Sequence, residues 1–427
     1  MRVLLIGGGG REHALAWAIA RSPLVERLVA APGNPGIARH AVCAPVGVDD
    51  HAGLLRLASD ERADLVVVGP EAPLVAGLVD RLGDRGLTVF GPSARAARIE
   101  GSKAFAKSLM ARHGIPTARF QTFDDPAGAR AHCRALGPPL VVKADGLAAG
   151  KGVSVCHTLA EANAALARCM ERREFGASGG RVVIEELLVG EEYSFFALAN
   201  GAAATALAGA QDHKTVFDDD QGPNTGGMGA FSPVAPVDAA TDARIMREIV
   251  EPTLAALAAD GAPYRGVLYA GLMLTRSGPK VIEFNCRFGD PECQVIMPRL
   301  DGDLVPVLAA AARGEKIPSQ VASPSRAAVC VSVASPGYPG AYPTGAVIAG
   351  VEAAEEVPGV QVFHAGTALA GGRLVTAGGR VLGVTAVAAT VDHAVERAYE
   401  AIGRIRFDGM HYRRDIGKRP QRQEIAP

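Results

Sequence analysis

Residues 266–287 read GVLYAGLMLTRSGPKVIEFNCR, two apolar runs on either side of Thr275-Arg276-Ser277-Gly278-Pro279. Aliphatic and β-branched residues flanking a Gly-Pro turn predict an antiparallel strand pair, 266–274 with 280–287. Alternate residues of a strand share a face, so Glu283, Asn285 and Arg287 should project together, with Ile282, Phe284 and Cys286 packed behind them. A carboxylate and an amide oxygen are hard ligands suited to Mg²⁺ (or Mn²⁺), which takes few protein groups and completes its shell from phosphates and water. Arg287 would then lie beside a phosphoryl group in transfer. An exposed polar face carrying an ion pair has the same pattern, so the flanking sequence must decide.

Upstream, Lys143-Ala144-Asp145-Gly146-Leu147-Ala148-Ala149-Gly150-Lys151-Gly152-Val153 sets two lysines around a glycine-rich bend. It suits phosphate, with a solvated hairpin loop as the plain alternative. It is not a P-loop, because three residues rather than four separate Gly146 from Gly150 and Gly152 follows Lys151. Strands at 140–144 and 153–156, a helix at 159–172 and strands at 182–186 and 192–198 read as a small α+β unit. Before it, a helix from 103 to about 113 ends at Gly114-Ile115-Pro116, a hinge signal.

In the first hundred residues, strands at 3–6, 28–30, 65–68 and 88–90 each end at Gly or Pro and alternate with Ala/Arg-rich helical stretches, the pattern of an open parallel α/β sheet. Ligands of such sheets sit at the strands' carboxyl ends, so the loops 7–10, 32–36, 69–71 and 91–93 should line one crevice. Gly7-Gly8-Gly9-Gly10-Arg11-Glu12-His13 turns from strand to helix, and free backbone N–H groups there suit an anion. A tight turn without a ligand, and a merely packed His13, are the alternatives. The stretch fails as a dinucleotide fingerprint: the last small residue of G-x-G-x-x-G falls on Glu12 or His13, and no acid lies near Ala30. That disfavours a nicotinamide-dependent oxidoreductase.

Residues 211–229 hold Gln211-Asp212-His213-Lys214, then Asp218-Asp219-Asp220 and a Gly/Asn/Thr-rich run, too polar for a core and long enough to be functional. The three aspartates read as a solvated acidic turn rather than metal ligands. From about 325 the chain is rich in Val and Gly, predicting a mostly β unit closed by a helix at 393–404, with a frayed tail from 418. Lys+Arg 44 against Asp+Glu 45 leaves a net charge of −1, which argues against nucleic acid or an anionic membrane as partner. Seven scattered cysteines without C-x-x-C suggest reduced thiols. The N-terminal apolar run is too short for a signal peptide, and 195–210 is too short for a membrane span. The expectation is a cytoplasmic protein acting on small molecules.

In order along the chain, GGGGREHA at 7–14, PGNPG at 32–36, GPEAPLV at 69–75, GSKAFAK at 101–107, KADGLAAGKGV at 143–153, EEYSFF at 191–196, QDHK at 211–214, GPNTGGMGAFSP at 222–233, EFNCRFGDPE at 283–292 and YRRDIG at 412–417 closely resemble the glycinamide ribonucleotide synthetases of the ATP-grasp superfamily. The resemblance implies an α/β and α+β multidomain fold. Its parts would be an N-terminal parallel α/β domain at 1–101, an ATP-grasp domain of two α+β subdomains at 102–324 with a lid at about 117–190, and a mostly β domain at 325–427.

The same resemblance implies ligation of glycine to 5-phosphoribosylamine in purine biosynthesis, with ATP as a substrate, Mg²⁺ (or Mn²⁺) as cofactor and glycyl phosphate as intermediate. Lys103, Lys143 and the loop bearing Gly150, Lys151 and Gly152 would hold ATP phosphates. Glu185, Glu186 and Leu188 would hold adenine, and Glu192 the ribose. Glu283 and Asn285 would ligate the metal, Arg287 steady the acyl phosphate, and Asp212 and Lys214 act near glycine. Gly8, Gly9, Gly10, Glu71 and Arg380 would serve phosphoribosylamine, in a monomer or weak homo-oligomer. Gly271 stands where many ATP-grasp enzymes carry another acidic ligand, and Thr215 where the family often has Arg. Another ATP-grasp carboxylate-amine ligase would share the 283/285/287 face but lack the GPNTGGMG loop. A non-catalytic nucleotide-binding protein would not need the ATP, metal and acceptor motifs together.

Overall fold

A computed structural model of the chain describes residues 1–148, 151–235, 237–317 and 326–418. Five strands, β1 (Arg2–Gly7), β2 (Arg27–Pro32), β3 (Val42–Cys43), β4 (Leu65–Val68) and β5 (Val89–Phe90), form a parallel sheet in the order β3-β2-β1-β4-β5. Helices cover both faces, which is why Val3–Ile6 and Leu65–Val68 are unbroken apolar runs, every residue buried. The strand order reverses beside β1, and there Gly7–Gly10, Gly33-Asn34 and Gly69 meet: Gly33 N–H donates to Gly7 O and Asn34 Nδ2 to Gly8 O. The fourth loop expected in this crevice is packed differently, with Gly91 against Leu74, Val79 and Gly266.

β6 (Phe120–Phe123), β7 (Leu140–Ala144), β8 (Val153–Cys156) and β9 (Val182–Glu186) form an antiparallel sheet in the order β6-β9-β7-β8. Helices Pro126–Leu136 and Leu159–Leu166 cover it, the second continuing as one π turn to Glu171. Next come β10 (Glu191–Asn200), β11 (Ala204–Ala206), β12 (Gln211–Asp212), β13 (Thr215–Phe217), β14 (Gln221–Asn224), β15 (Gly229–Ser232), β16 (Arg265–Thr275) and β17 (Gly278–Asn285). β10 leaves the small unit in which its sequence placed it and pairs along its whole length with β16, in a second sheet ordered β11-β10-β16-β17. Its residues from Tyr193 to Asn200 are all buried, as a strand between two neighbours requires. The two antiparallel sheets meet where Lys143 Nζ on β7 donates to Ile282 O on β17 at 2.9 Å.

The C-terminal part contributes β18 (Ala327–Ala334), β19 (Val360–His364), β20 (Thr367–Ala370), β21 (Arg373–Thr376) and β22 (Arg380–Ala388). Its main sheet runs β12-β15-β18-β22-β19, so it takes two strands from the 211–229 segment. That segment is therefore tied into a sheet at both ends rather than being a linker. The closing helix is Val391–Ile402, capped by Thr390, and buries Ala394, Val395, Ala398, Ala401 and Ile402 at helical spacing. Among the described residues no helix is long and apolar enough to cross a membrane.

Candidate active site

The 266–287 hairpin forms as its sequence predicts, with Gly271 opposite Glu283, but a bulge follows at once and puts Leu272 opposite Val281. The bulge corrects one expectation. Val281, not Ile282, joins Phe284 and Cys286 in the core, while Ile282 is only half-buried and offers its carbonyl to Lys143. A Cβ at Gly271 would lie 3.3 Å from Glu283 Cγ, tighter than ordinary packing, so this glycine makes room for the Glu283 side chain. Burial pushes the Glu283 carboxyl up, but Lys214, Lys143, Lys103 and Arg287 outweigh it and hold the group ionised. Four cations therefore act on this one carboxylate, and three of them are also partnered elsewhere, Lys143 by Glu185, Lys214 by Glu192 and Arg287 by Glu71 and Glu100.

Each lysine is oriented from a different element. Lys103 opens the helix Lys103–Arg112 and donates to Gly146 O at 2.9 Å, so it already touches the glycine-rich loop. Lys143 on β7 also pairs with Glu185 Oε2 at 3.1 Å. Lys214 pairs with Glu192 Oε2 at 2.7 Å, and against burial Glu192, Asp212 and Glu283 keep its ammonium charged. Burial raises the Asp212 carboxyl; Lys214 opposes this, and Glu292, Glu192 and Glu283 reinforce it. Glu185, on β9, is 3% exposed; Lys107 and Lys143 share its Oε2 at 3.0 and 3.1 Å, while Oε1 has no partner among the described residues. Glu186 turns outward to the Arg119 guanidinium at 2.7 Å, and Leu188 lies half-buried in the connection from β9 to β10. Lys151 is exposed and Gly152 buried at the start of β8, whereas Gly150 lies outside the described residues.

Beside this cluster the N-terminal loops are closed by ion pairs. Arg287 Nε lies 3.2 Å from Glu71 Oε2 and its NH2 lies 3.1 Å from Glu100 Oε1. Arg11 approaches Glu71 at 3.8 Å and pairs with Glu12 at 2.5 Å. Burial pushes Glu71 up, but Arg287 and Arg11 bring its carboxyl down to about 2. The Gly7–Gly10 turn is less open than its sequence suggests: Glu12 Oε2 accepts the Gly9 N–H at 2.8 Å, so the helix Gly10–Ile19 caps itself. Gly7, at φ +129°, and Gly69 are glycines because a Cβ at either would overlap the Glu12 side chain. His13 is structural, with Nδ1 accepting the His364 N–H at 2.7 Å and the ring packed on Phe363. Arg380 donates to Gly226 O, Gly227 O and Asp290 O and pairs with the Asp290 carboxylate at 3.1 Å.

The N, ATP-grasp (A) and C domain models of phosphoribosylglycinamide synthetase match residues 1–100, 101–293 and 328–419. The chain belongs to the phosphoribosylglycinamide synthetase family. The phosphoribosylamine-glycine ligase of Brucella melitensis is 53% identical over 426 residues, and that of Mesorhizobium japonicum 54% identical over 426, each match covering all of both chains. The crystal structure of phosphoribosylamine-glycine ligase from Thermotoga maritima superimposes with a TM-score of 0.86 at 36% identity, over 97% of this chain and 100% of its own. The activity is accordingly ATP-dependent ligation of phosphoribosylamine and glycine, in purine biosynthesis.

Several residues of this synthetase site escaped the reading of the sequence. Lys107 lies four residues after Lys103 in GSKAFAK, a spacing that puts both on one helix face. Asp290 and Glu292 follow Arg287 in EFNCRFGDPE; Glu292 accepts from Tyr269 Oη at 2.7 Å and Ser194 Oγ at 3.2 Å. Glu12 lies within GGGGREHA, but its capping of Gly9 depends on which way the side chain turns, and Glu100 precedes GSKAFAK and acts on the distant Cys286 and Arg287. Where Thr215 replaces the family's usual Arg, Arg413 of YRRDIG donates to Thr215 Oγ1 at 2.8 Å and pairs with Asp220 at 3.0 Å and Asp415 at 2.6 Å. The three aspartates thus brace the 211–229 segment against the C-terminal part, with Asp218 accepting the Arg414 N–H at 2.7 Å.

Proposed function

We propose that glycine is activated as glycyl phosphate in the cleft between the two antiparallel sheets, and that the sugar amine reaches it from the Gly8-Gly9-Gly10 side. The observation that carries this reading is that Lys103, Lys143, Lys214 and Arg287 all act on the half-buried carboxylate of Glu283. Phosphoryl transfer to a carboxylate requires alignment and charge neutralisation rather than a side-chain nucleophile. Lys103 and Lys143 hold phosphate oxygens of ATP beneath the loop carrying Lys151 and Gly152. Glu185, with Oε1 open as an acceptor, takes adenine together with the 186–188 backbone, and Glu192 takes the ribose hydroxyls.

Glu283 and Asn285 are hard oxygen donors two residues apart, the donor set that suits Mg²⁺ (or Mn²⁺). That ion, when bound, withdraws charge from the phosphate oxygens. Asp212 and Lys214 orient glycine, and Arg287 steadies the acyl phosphate. Gly8, Gly9, Gly10 and Glu71 receive phosphoribosylamine; Arg380 serves that site by fixing Asp290 and the turn at Gly226. The protein acts as a monomer or weak homo-oligomer, and its seven free cysteines suit the cytoplasm.

Trapping tests the intermediate. With ATP, Mg²⁺ and glycine, hydroxylamine should yield glycine hydroxamate in step with ADP. In the complete reaction, labelled oxygen from the glycine carboxylate should appear in phosphate. ADP release with neither hydroxamate nor label transfer would overturn the acyl phosphate.

A further inference from the structure

Glu100 is the last charged residue before the Gly101-Ser102 junction between the N-terminal and ATP-grasp parts, and it is 9% exposed. Its Oε2 accepts the N–H of Cys286 at 2.7 Å, and its Oε1 lies 3.1 Å from Arg287 NH2. One carboxylate thus grips both the backbone and the side chain of the strand end that carries Asn285 and Arg287. The next residues reach the other side of the cleft. Ser102 Oγ donates to the Asp145 carboxylate at 3.0 Å, Ala104 N–H donates to the same group at 3.0 Å, and Lys103 Nζ donates to Gly146 O. Residues 100–104 therefore span the distance between Arg287 and the glycine-rich loop.

We propose that Glu100 is the positioning residue for Arg287, setting where its guanidinium stands relative to the phosphates; this rests on the reading that Arg287 acts on the acyl phosphate. Arg287 has five N–H donors. One goes to Glu71 and one to Phe288 O, while its NH2 group stands 3.1 Å from Glu100 Oε1 as an ion pair. Glu71 is 30% exposed at its side chain and borders the crevice, whereas Glu100 is enclosed. Glu71 is free to respond to a ligand; Glu100 is the fixed anchor.

The test compares E100Q, E100D, R287K and the double variant E100Q/R287K in the full chain. Glutamine keeps one acceptor oxygen for the Cys286 N–H and sets an uncharged NH2 group opposite Arg287 in place of the second oxygen. Turnover of E100Q should fall roughly 10- to 100-fold while KM for ATP stays within about threefold and the thermal midpoint within a few degrees, because a displaced catalytic group acts on kcat. E100D should recover part of the loss. In the R287K background E100Q should cost less than about twofold, because the group it positions has already been changed. Equal losses in both backgrounds, or wild-type turnover in a folded E100Q, would overturn the positioning role. Wild-type turnover in R287K would instead remove the reading of Arg287 on which it rests. If E100Q does not fold, the same comparison is made with E100D alone and in the R287K background.

Discussion

Two turns of this chain are rich in glycine, four consecutive glycines at 7–10 and three in the eight residues 145–152, and they are filled differently. At Gly7–Gly10 the space left by the missing side chains is filled by the protein's own Glu12, whose carboxylate caps Gly9 and pairs with Arg11. At the bend after β7 the glycine space meets a neutral side chain, Ser178 beside Gly146; Asp145 turns to Ser102 Oγ, Lys103 bonds to Gly146 O and Lys151 is exposed. The charges follow the same division. The N-terminal cluster pairs Arg11 and Arg287 with Glu12, Glu71 and Glu100, whereas in the ATP-grasp cleft Lys103, Lys143 and Lys214 act on Glu283, with Lys143 and Lys214 also paired to Glu185 and Glu192. Glycine density therefore marks a place where the chain's own Cβ would not fit, because a neighbouring side chain, Glu12 in one turn and Ser178 in the other, stands there.

The difference is tested first on the ATP-grasp side. Glu283→Gln should lower turnover by about three orders of magnitude, several kcal/mol of transition-state stabilisation, while the thermal midpoint moves little. Near-normal turnover would remove Glu283 from the metal site. On the N-terminal side the balance should invert. Glu12→Gln breaks a buried pair and should cost about 3 kcal/mol of stability, read as a lower urea midpoint, with KM for ATP unchanged. A stable Glu12→Gln variant with impaired ATP binding would erase the contrast.

The part of the site carried by one strand was legible in the sequence, because a period of two is a local property: Glu283 and Asn285 followed from a single hairpin. The same locality explains the error at Ile282, since a bulge is set by the partner strand and leaves no mark in EFNCR. The parallel sheet was readable from apolar runs that end in glycine, but the destination of β10 was not, because EEYSFFALAN suits any central strand. Lys103, Lys143 and Lys214 were found through their motifs. Their common target was not, since it is assembled from four segments far apart in sequence. The self-capped turn shows the same limit from the other side: GGGGREH holds both the glycines and the carboxylate that fills them, yet only the fold shows which way Glu12 points.

Smaller effects sharpen the comparison further. Lys151→Ala, at an exposed position on the second turn, should raise KM for ATP about tenfold, or ~1.4 kcal/mol, and leave the unfolding midpoint in place. A shifted midpoint with unchanged KM would make that loop structural.

The smallest effect belongs to Glu71, which stands on the N-terminal side but borders the crevice. Its folded carboxyl titrates near 2 against an ordinary 4.5, held down by Arg287 and Arg11 despite burial. A depressed folded value means that the ionised form is the one the fold favours. Its contribution to stability is thus complete above pH 4.5 and is lost as the pH falls from 4.5 towards 2. The side chain is 30% exposed, so solvent screening keeps the contribution modest. Wild type and Glu71→Gln should therefore differ in unfolding midpoint at pH 6 and converge as the pH approaches 2. A difference that stays constant across that window would mean that Glu71 acts through packing rather than charge, and would separate the crevice's edge from the ion pairs that close it.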